Sequence, residues 1–220
     1  MSGLHNNPIL TPLHVRVLET LFNDSSFANL FYLTGGTALS AFYLLHRESE
    51  DLDFFTHEPL PEQLVSAMQT LLVRKVNSIK VLKRTPTFIR WEVDEVLKLD
   101  CVQDVAVRFG VPKIIDGIRV DTEENIAVNK VCTILGRLEP KDYVDLLFLI
   151  RDQGYSIDDL FKKGIQKDGG LDPFTWAQLI ADCENFTILP RMRKPLKLEV
   201  LKEFYRKIRK EIIRKLKPKE

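Results

Sequence analysis

The chain has 220 residues, 45% of them hydrophobic and 29% charged, with a net charge of +1, which is typical of one globular domain or one with an appendage. No stretch approaches the ~18 consecutive apolar residues of a membrane-spanning helix, so no membrane partner is expected. Three widely spaced cysteines, and an N-terminus with neither a basic start nor an apolar core, predict a cytoplasmic protein.

The first predicted elements are a helix and a short strand. Thr11-Pro12 is a typical helix start, with a threonine cap before a proline, and this helix is expected to end at Asn23 to Ser26. Residues 30–33 predict the strand. The chain then turns at Gly35-Gly36 and enters a predicted helix whose apolar face contains Ala38, Leu39, Phe42, Tyr43 and Leu45.

A second predicted strand, residues 51–55, contains two aspartates. Alternation places Asp51 and Asp53 on one face and apolar residues on the other, so two carboxylates suited to a hard cation lie side by side. The preceding Gly35-Gly36 turn has no Cβ atoms and opens a helix, where free amides favour a phosphate. The combination indicates metal-assisted phosphoryl or nucleotidyl transfer.

The next segment reads as a helix, residues 59–73, followed by strands at 79–82, 88–93 and 96–102. A polar turn at Asp94-Glu95 predicts a hairpin between the last two strands. Asp100 lies within the apolar third strand, where a carboxylate is costly to bury unless it binds something. Three other aspartates stay open as the third functional carboxylate: Asp104, Asp116 and Asp121. It also stays open that Asp100 is a surface-facing residue at the edge of the sheet.

The second half of the chain is predicted to be helical. Asp116-Gly117 forms a hairpin turn, after which Thr122 caps a helix that contains Lys130. A helix after Pro140 contains Asp145, and the last predicted helix, residues 196–216, has a basic face. Residues 191–220 contain 13 Lys+Arg and 4 Asp+Glu, a net charge of +9 against −8 for the remainder. This face predicts a polyanionic partner such as tRNA, or is simply solvated.

The compound pattern resembles the polymerase-β-type nucleotidyltransferase superfamily and, more narrowly, the AbiEii/AbiGii toxin nucleotidyltransferases. Gly35-Gly36-Thr37-Ala38-Leu39 followed by Arg47-x-Ser49-x-Asp51-Leu52-Asp53 carries the resemblance. Lys130 and Asp145 match later positions of the group. Lys141-Asp142 stands where Arg-Asp is usual, which keeps the charge but loses a bidentate guanidinium. The resemblance covers residues 30–150.

The resemblance implies an α+β fold, with a mixed-sheet nucleotidyltransferase core at residues 1–121 and a helical region at 122–220. It assigns Asp51, Asp53 and Asp100 to Mg²⁺ or Mn²⁺. The remaining assignments are a nucleotide-binding set, Gly35, Gly36, Thr37, Arg47, Ser49 and Lys130, and a further catalytic pair, Lys130 and Asp145. Asp145 is expected to pair with Lys130, with Arg47 or with the nucleotide.

The activity implied is pyrophosphate-releasing transfer of a nucleoside monophosphate from an NTP to an acceptor hydroxyl. The acceptor would be RNA, such as a tRNA 3′ end, or a protein side chain. The protein would act as the toxin of a toxin–antitoxin or abortive-infection system, with a cognate antitoxin as a possible partner. The alternative is a catalytically silent nucleotidyltransferase fold that acts as a binding or antitoxin-like module.

Overall fold

The computed structural model describes residues 3–216. The chain divides into two compact units, Met1–Glu123 and Glu124–Glu220. Within the described residues, every strand belongs to the first unit, and the second unit is built from helices. None of the helices between residues 3 and 216 has both the length and the apolar composition needed to cross a membrane.

The first unit contains a seven-stranded mixed sheet. Its strands are β1 (Tyr32–Thr34), β2 (Leu52–Thr56), β3 (Ile79–Arg84), β4 (Phe88–Val93), β5 (Leu97–Gln103), β6 (Lys113–Ile115) and β7 (Ile118–Val120). Their order across the sheet is β3-β4-β5-β2-β1-β7-β6. β2 runs parallel to β5, and β1 runs parallel to β7, whereas the other neighbours are antiparallel. This confirms the predicted α+β class with a mixed sheet.

Helices accompany this sheet in the first unit and make up the second unit. They are α1 (Pro12–Phe22), α2 (Ser25–Leu30), α3 (Gly35–Leu39), α4 (Leu64–Leu72), α5 (Glu123–Gly136), α6 (Pro140–Gln153), α7 (Ile157–Lys167), α8 (Pro173–Leu179) and α9 (Leu198–Leu216). Short 3₁₀ turns occupy Gly3–Asn6 and Ile180–Asn185. The predicted start of α1 is confirmed, because the Thr11 hydroxyl accepts from the His14 amide at 3.2 Å.

Period-two alternation separates the two faces of the sheet. Leu52 and Phe54 of β2, Leu99 of β5 and Trp91 of β4 are all completely buried. The side chains between them in sequence therefore lie on the opposite face. This is why a strand with alternating aspartates is stable here: one face supplies the hydrophobic free energy, and the other is left for polar groups.

Two predicted hairpin turns are confirmed by their backbone conformation. Asp94 and Glu95 have φ values of 51° and 61°, and Asp116 and Gly117 have φ values of 49° and 83°. Two consecutive residues with positive φ form the type I′ turn, whose twist matches that of antiparallel strands. The first turn connects β4 to β5 and so brings Asp100 into the sheet beside Arg90.

The predicted end of α1 is confirmed, because the helix stops at Phe22 and Asn23 is its C-cap. The Asp24 carboxylate accepts from the Phe27 amide at 2.9 Å, so the same segment also caps α2, a helix that the sequence did not predict. Two further local predictions were wrong. The strand expected from residue 30 begins at Tyr32 because residues 25–30 are helical. The helix after the glycine pair is short: α3 leads into a π turn, Ser40–Leu44, and stops at Leu45, which has φ 50° and is 43% exposed.

The second unit packs around α6 and α9. Tyr143 and Leu147 of α6 are completely buried, and the Tyr205 hydroxyl of α9 donates to the Tyr143 carbonyl at 2.8 Å. The buried stripe of α9 consists of Leu201, Tyr205, Ile208 and Ile212. Leu216, one turn after Ile212, is 47% exposed.

Candidate active site

Polar side chains form one row across the face of the sheet opposite the core. The strand register places Arg90 beside Asp100, Asp100 beside Asp53, and Asp53 beside Thr34. Side chains that face each other across paired strands lie on the same face, and neighbouring strands are about 4.8 Å apart. Asp51 precedes Asp53 by two residues and shares this face. Three of the predicted site carboxylates are therefore brought together.

The glycine turn packs directly against this row. Gly35 has a φ of 71°, in the left-handed region, and a Cβ added to it would overlap the Asp53 carboxylate. Glycine is thus required at position 35 both by the backbone conformation and by the close approach. A Cβ on Gly36 would lie 2.5 Å from Nη2 of Arg47. The structure therefore places the Gly35-Gly36 backbone between Asp53 and the Arg47 guanidinium.

Thr37 forms hydrogen bonds to the segment that leads into β2. Its side chain is completely buried, its hydroxyl donates to the Asp51 carbonyl, and it lies 2.8 Å from the Ser49 hydroxyl oxygen. The Thr37 side chain thus orients Asp51. The Thr37 backbone amide lies in the first turn of α3 and has no acceptor within that helix. Arg47 is also buried, and its Nη1 donates to the Glu48 carbonyl at 2.8 Å.

Asp100 is bound by an arginine that sequence reasoning did not select. Arg90 Nε lies 2.7 Å from Oδ1 of Asp100, and Arg90 Nη2 lies 2.6 Å from Oδ2. This is the bidentate geometry of the strongest carboxylate pairs. The hydrogen bonds to Asp100 raise the pKa of Arg90 against the effect of desolvation, and the charges of Asp51 and Asp53 raise it further. Arg90 is thus in the electrostatic field of all three carboxylates.

The alternative third carboxylates have other tasks. Asp104 accepts from the Tyr32 hydroxyl at 3.1 Å, and Asp116 lies in the hairpin turn before β7. Asp121 is completely buried; its Oδ1 accepts from Arg108 at 2.8 Å, and its Oδ2 accepts from Thr34 at 2.8 Å. Of the four aspartates considered, Asp100 is the one in register with Asp53, which supports its choice.

Lys130 and Asp145 lie in the second unit, within a buried ionic cluster. Lys130 Nζ is 2.7 Å from Oδ1 of Asp142 and 2.6 Å from Oδ2 of Asp145. Arg137 reaches the other oxygen of Asp142 at 2.7 Å. Burial acts to raise the pKa of Asp142, but Lys130 and Arg137 together outweigh it and hold this pKa below its ordinary value. The expected pairing of Asp145 with Lys130 is confirmed.

The donor set of the row fits a hard divalent cation at Asp51 and Asp53. Both carboxylates are partly exposed, they share one face, and their donor atoms are oxygens, which Mg²⁺ prefers. Over residues 3–216, no cluster of three or more His, Cys, Asp or Glu side chains has the arrangement of a metal site. Mg²⁺ commonly takes one or two protein carboxylates and completes its shell with water and substrate phosphates, so two aspartates suffice.

Comparison with known proteins identifies the family. A model described as the nucleotidyl transferase AbiEii toxin of type IV toxin–antitoxin systems matches residues 16–220. The chain belongs to this family. It is therefore a nucleotidyltransferase, and nucleotidyltransferases generally use an NTP and a divalent metal ion. An uncharacterized protein of Aquifex aeolicus is 29% identical to this AbiEii-family chain over 151 residues, which cover 66% of the chain and 69% of the relative.

Solved structures share the fold of this AbiEii-family protein. The crystal structure of JHP933 from Helicobacter pylori has a TM-score of 0.56 and 22% identity, with 98% of this chain and 95% of that chain covered. MenT4, a nucleotidyltransferase toxin from Mycobacterium tuberculosis H37Rv, has a TM-score of 0.57 and 14% identity, with 91% and 82% covered. These likenesses extend over nearly the whole described chain and agree with the α+β assignment.

Sequence reasoning missed two residues that form ion pairs with predicted site residues, Arg90 with Asp100 and Asp142 with Lys130. Arg90 gave no signal because an arginine on a strand that alternates with apolar residues reads as a solvated side chain. Asp142 did have a signal: it lies three residues before Asp145, on the same face of a predicted helix that is otherwise apolar. Two carboxylates on one apolar face require cations, which Lys130 of the preceding helix and Arg137, one residue after its end, supply.

Proposed function

We propose that this protein transfers a nucleoside monophosphate from an NTP to an acceptor hydroxyl. The acceptor oxygen forms a bond to the α-phosphorus, the bond from that phosphorus to the bridging oxygen breaks, and pyrophosphate leaves with the electron pair. The observation that carries the proposal is the register that pairs Asp53 with Asp100, with Asp51 on the same face and the Gly35 backbone against Asp53.

Each residue of the row has a distinct proposed task. Asp51 and Asp53 hold the divalent cation, and Asp100 orients the acceptor hydroxyl and receives its proton. Bound Mg²⁺ or Mn²⁺ would neutralise charge on the triphosphate and on the departing pyrophosphate. The backbone amides after the Gly35-Gly36 turn bind phosphate oxygens, because the turn leaves them free of side-chain obstruction.

The polar residues around the turn complete the proposed nucleotide site. Arg47 and Ser49 order the segment before Asp51. The Arg47 guanidinium lies close to Gly36, and this proximity supports a role for its positive charge in binding phosphate at the turn. Lys130 and Asp145 are proposed members of the site on the family resemblance. Their ion pairs with each other and with Asp142 also give them a structural task in the second unit.

The acceptor that the chain's charge favours is RNA, such as the 3′ end of a tRNA. The carboxy-terminal residues 191–220 have a net charge of +9, and clustered lysine and arginine attract a polyanion. A protein hydroxyl is the competing acceptor. Membership of a toxin–antitoxin family supports a cognate antitoxin as a further partner.

Incubation of the pure protein and Mg²⁺ with each labelled NTP tests the function, first with total tRNA and then with protein extract. Asp53→Asn keeps the size of the side chain but removes a ligand charge, so transfer should fall by on the order of 10³-fold. Transfer by Asp100→Asn should fall by a similar factor, and nucleotide binding should be affected less. If the label appears only in the protein fraction, the acceptor is a protein hydroxyl and not RNA.

Asp104→Asn is the matched control because Asp104 follows the same strand but accepts a hydrogen bond from Tyr32 outside the row. It should fold and remain active. Loss of transfer in Asp104→Asn together with full activity in Asp100→Asn would show that the third carboxylate is assigned wrongly. If wild-type protein binds NTP, transfers nothing and still slows growth of its host, the silent binding module takes over as the function.

A further inference from the structure

The Arg90–Asp100 ion pair of the first unit lies next to the proposed cation ligand Asp53. The Asp100 side chain is 10% exposed and in register with Asp53, while the Arg90 side chain is 40% exposed and can move into solvent. Both oxygens of Asp100 are bonded to the guanidinium. A cation that used Asp100 as a ligand would therefore have to take at least one oxygen from Arg90.

We propose that Arg90 is a positioning residue that competes with a divalent cation for Asp100. This inference rests on the proposed metal-dependent transfer. With Arg90 bound, Asp100 is neutralised, and the row offers a cation only the Asp51–Asp53 pair. When Arg90 releases Asp100, the third carboxylate becomes available to a second cation or to the acceptor hydroxyl. Arg90 thereby makes full assembly of the site dependent on a cation strong enough, or bound by enough triphosphate oxygens, to displace it.

The surroundings of Arg90 make this exchange feasible. The Arg90 guanidinium lies 5.4 Å from the centroid of the Phe88 ring, two residues earlier on the same strand face. An arginine over an aromatic face keeps a favourable interaction when its carboxylate partner is taken away. Release therefore leaves Arg90 neither buried nor without a partner. A tenfold or larger penalty on cation binding is expected, since bidentate charged pairs contribute roughly a factor of 10 to 100.

Binding of Mn²⁺ to the full chain without nucleotide, followed by electron paramagnetic resonance, measures this competition without turnover. Arg90→Gln keeps the length and polarity of the side chain but removes the charge, so Mn²⁺ affinity should rise about tenfold or more. Arg90→Lys keeps the charge but loses the two parallel hydrogen bonds of the guanidinium. Its Mn²⁺ affinity should lie between that of wild type and that of Arg90→Gln. The Arg90→Gln gain should vanish when it is combined with Asp100→Asn.

Lys98→Gln is the matched control for charge. Lys98 is exposed and precedes Asp100 by two residues on the same strand face, so its substitution changes the net charge equally without touching the pair. Its Mn²⁺ affinity should stay within about twofold of wild type, because exposed charges are screened. A gain in Lys98→Gln equal to that of Arg90→Gln would overturn the proposal, and so would an Arg90→Gln gain that survives Asp100→Asn.

The same panel separates this inference from the proposed function. If Arg90→Gln binds Mn²⁺ no more tightly, while wild type transfers nucleotide and Asp53→Asn does not, the Arg90 proposal fails and the nucleotidyl transfer stands. If no variant binds Mn²⁺, with or without NTP, the metal-dependent function fails, and the Arg90 proposal fails with it. A melting curve for each variant confirms that the measurements are made on folded protein.

Discussion

Single residues decide whether the carboxylate row can exist. Gly35 turns the chain at the end of β1 with a positive φ, and its backbone fills the space in which any other side chain would meet Asp53. Thr37, two residues on, anchors the Asp51 carbonyl. Both residues therefore act on the aspartates before any ligand binds. Gly35 allows the Asp53 carboxylate to lie against the turn, and Thr37 holds the backbone at Asp51.

Gly35→Ala should abolish nucleotidyl transfer and lower stability by about 1–3 kcal/mol, because alanine is strained at a φ of 71° and its Cβ displaces the Asp53 carboxylate. Transfer assays and urea unfolding measure the two effects. Gly136→Ala is the control: an added Cβ there meets nothing within 4 Å. It should leave both quantities nearly unchanged. Wild-type activity in Gly35→Ala would contradict the close-approach argument.

At the scale of elements, α5 and α6 are joined by a buried ionic cluster. Lys130 of α5 and Arg137, which follows the end of that helix, meet two carboxylates of α6, Asp142 and Asp145. Buried ion pairs stabilise little relative to an apolar pair, but removal of one member leaves an uncompensated charge in a low-dielectric environment. The cluster therefore sets the register between two helices at the beginning of the second unit.

Lys130→Met should destabilise the protein by about 3–5 kcal/mol at neutral pH, because both carboxylates are left buried without their shared cation. The folded-state pKa of Asp142 is lowered, so its contribution to stability is present above the unfolded pKa of about 3.9 and is lost as pH falls through the folded pKa. The deficit of the variant should accordingly shrink as the pH falls below about 4, through the folded pKa of Asp142. Urea unfolding at several pH values measures it.

Lys162→Met is the control for this prediction. Lys162 pairs with Asp159 at 3.2 Å, but the two side chains are 76% and 63% exposed. Exposed pairs contribute at most about 1 kcal/mol, so its unfolding curve should move little. A Lys130→Met variant that unfolds like wild type, or whose deficit grows in acid, would show that the cluster does not stabilise the unit.

At the scale of the whole molecule, charge is distributed unevenly along the sequence. The net charge of +1 combines +9 in residues 191–220 with −8 in the remainder. Within the described residues, part of this positive charge is already paired: Arg206 of α9 binds Glu184 at 2.7 Å through two nitrogens. Other exposed basic residues of α9 include Lys210, Arg214 and Lys207, of which Lys207 also lies 3.8 Å from Glu203.

Reversal of Lys207, Lys210 and Arg214 to glutamate should weaken RNA binding and reduce the slope of log affinity against log salt, by about one unit for each phosphate group that is no longer neutralised. The fold should survive, since these side chains lie off the buried stripe of α9. Filter binding of tRNA at several salt concentrations is the measurement. The same reversal at the exposed Arg74, Lys75 and Lys113 changes net charge equally and should alter the slope far less. If both triple variants change the salt dependence of tRNA affinity equally, the basic face of α9 is a solvated surface and not an RNA-binding site.

The sequence predicted those features that local chemistry determines. Thr11-Pro12, Asp94-Glu95 and Asp116-Gly117 were read correctly because caps and type I′ turns depend on a few neighbouring residues. The helix after Gly35-Gly36 was overestimated because periodicity does not reveal the π turn that ends it at Leu45. α2 was missed because an aspartate followed by two serines caps a helix as readily as it ends one.

By itself, the sequence determined that two aspartates share one strand face beside a glycine turn, because that follows from the period of a strand and the steric freedom of glycine. Only the tertiary structure decided which third carboxylate joins them, since Asp100 reaches Asp53 through pairing between two strands that are distant in sequence. It also decided that Arg90 binds Asp100 and that Lys130 binds two carboxylates at once. Such pairings depend on register between distant segments, and a one-residue shift of register would have placed each strand side chain on the opposite face.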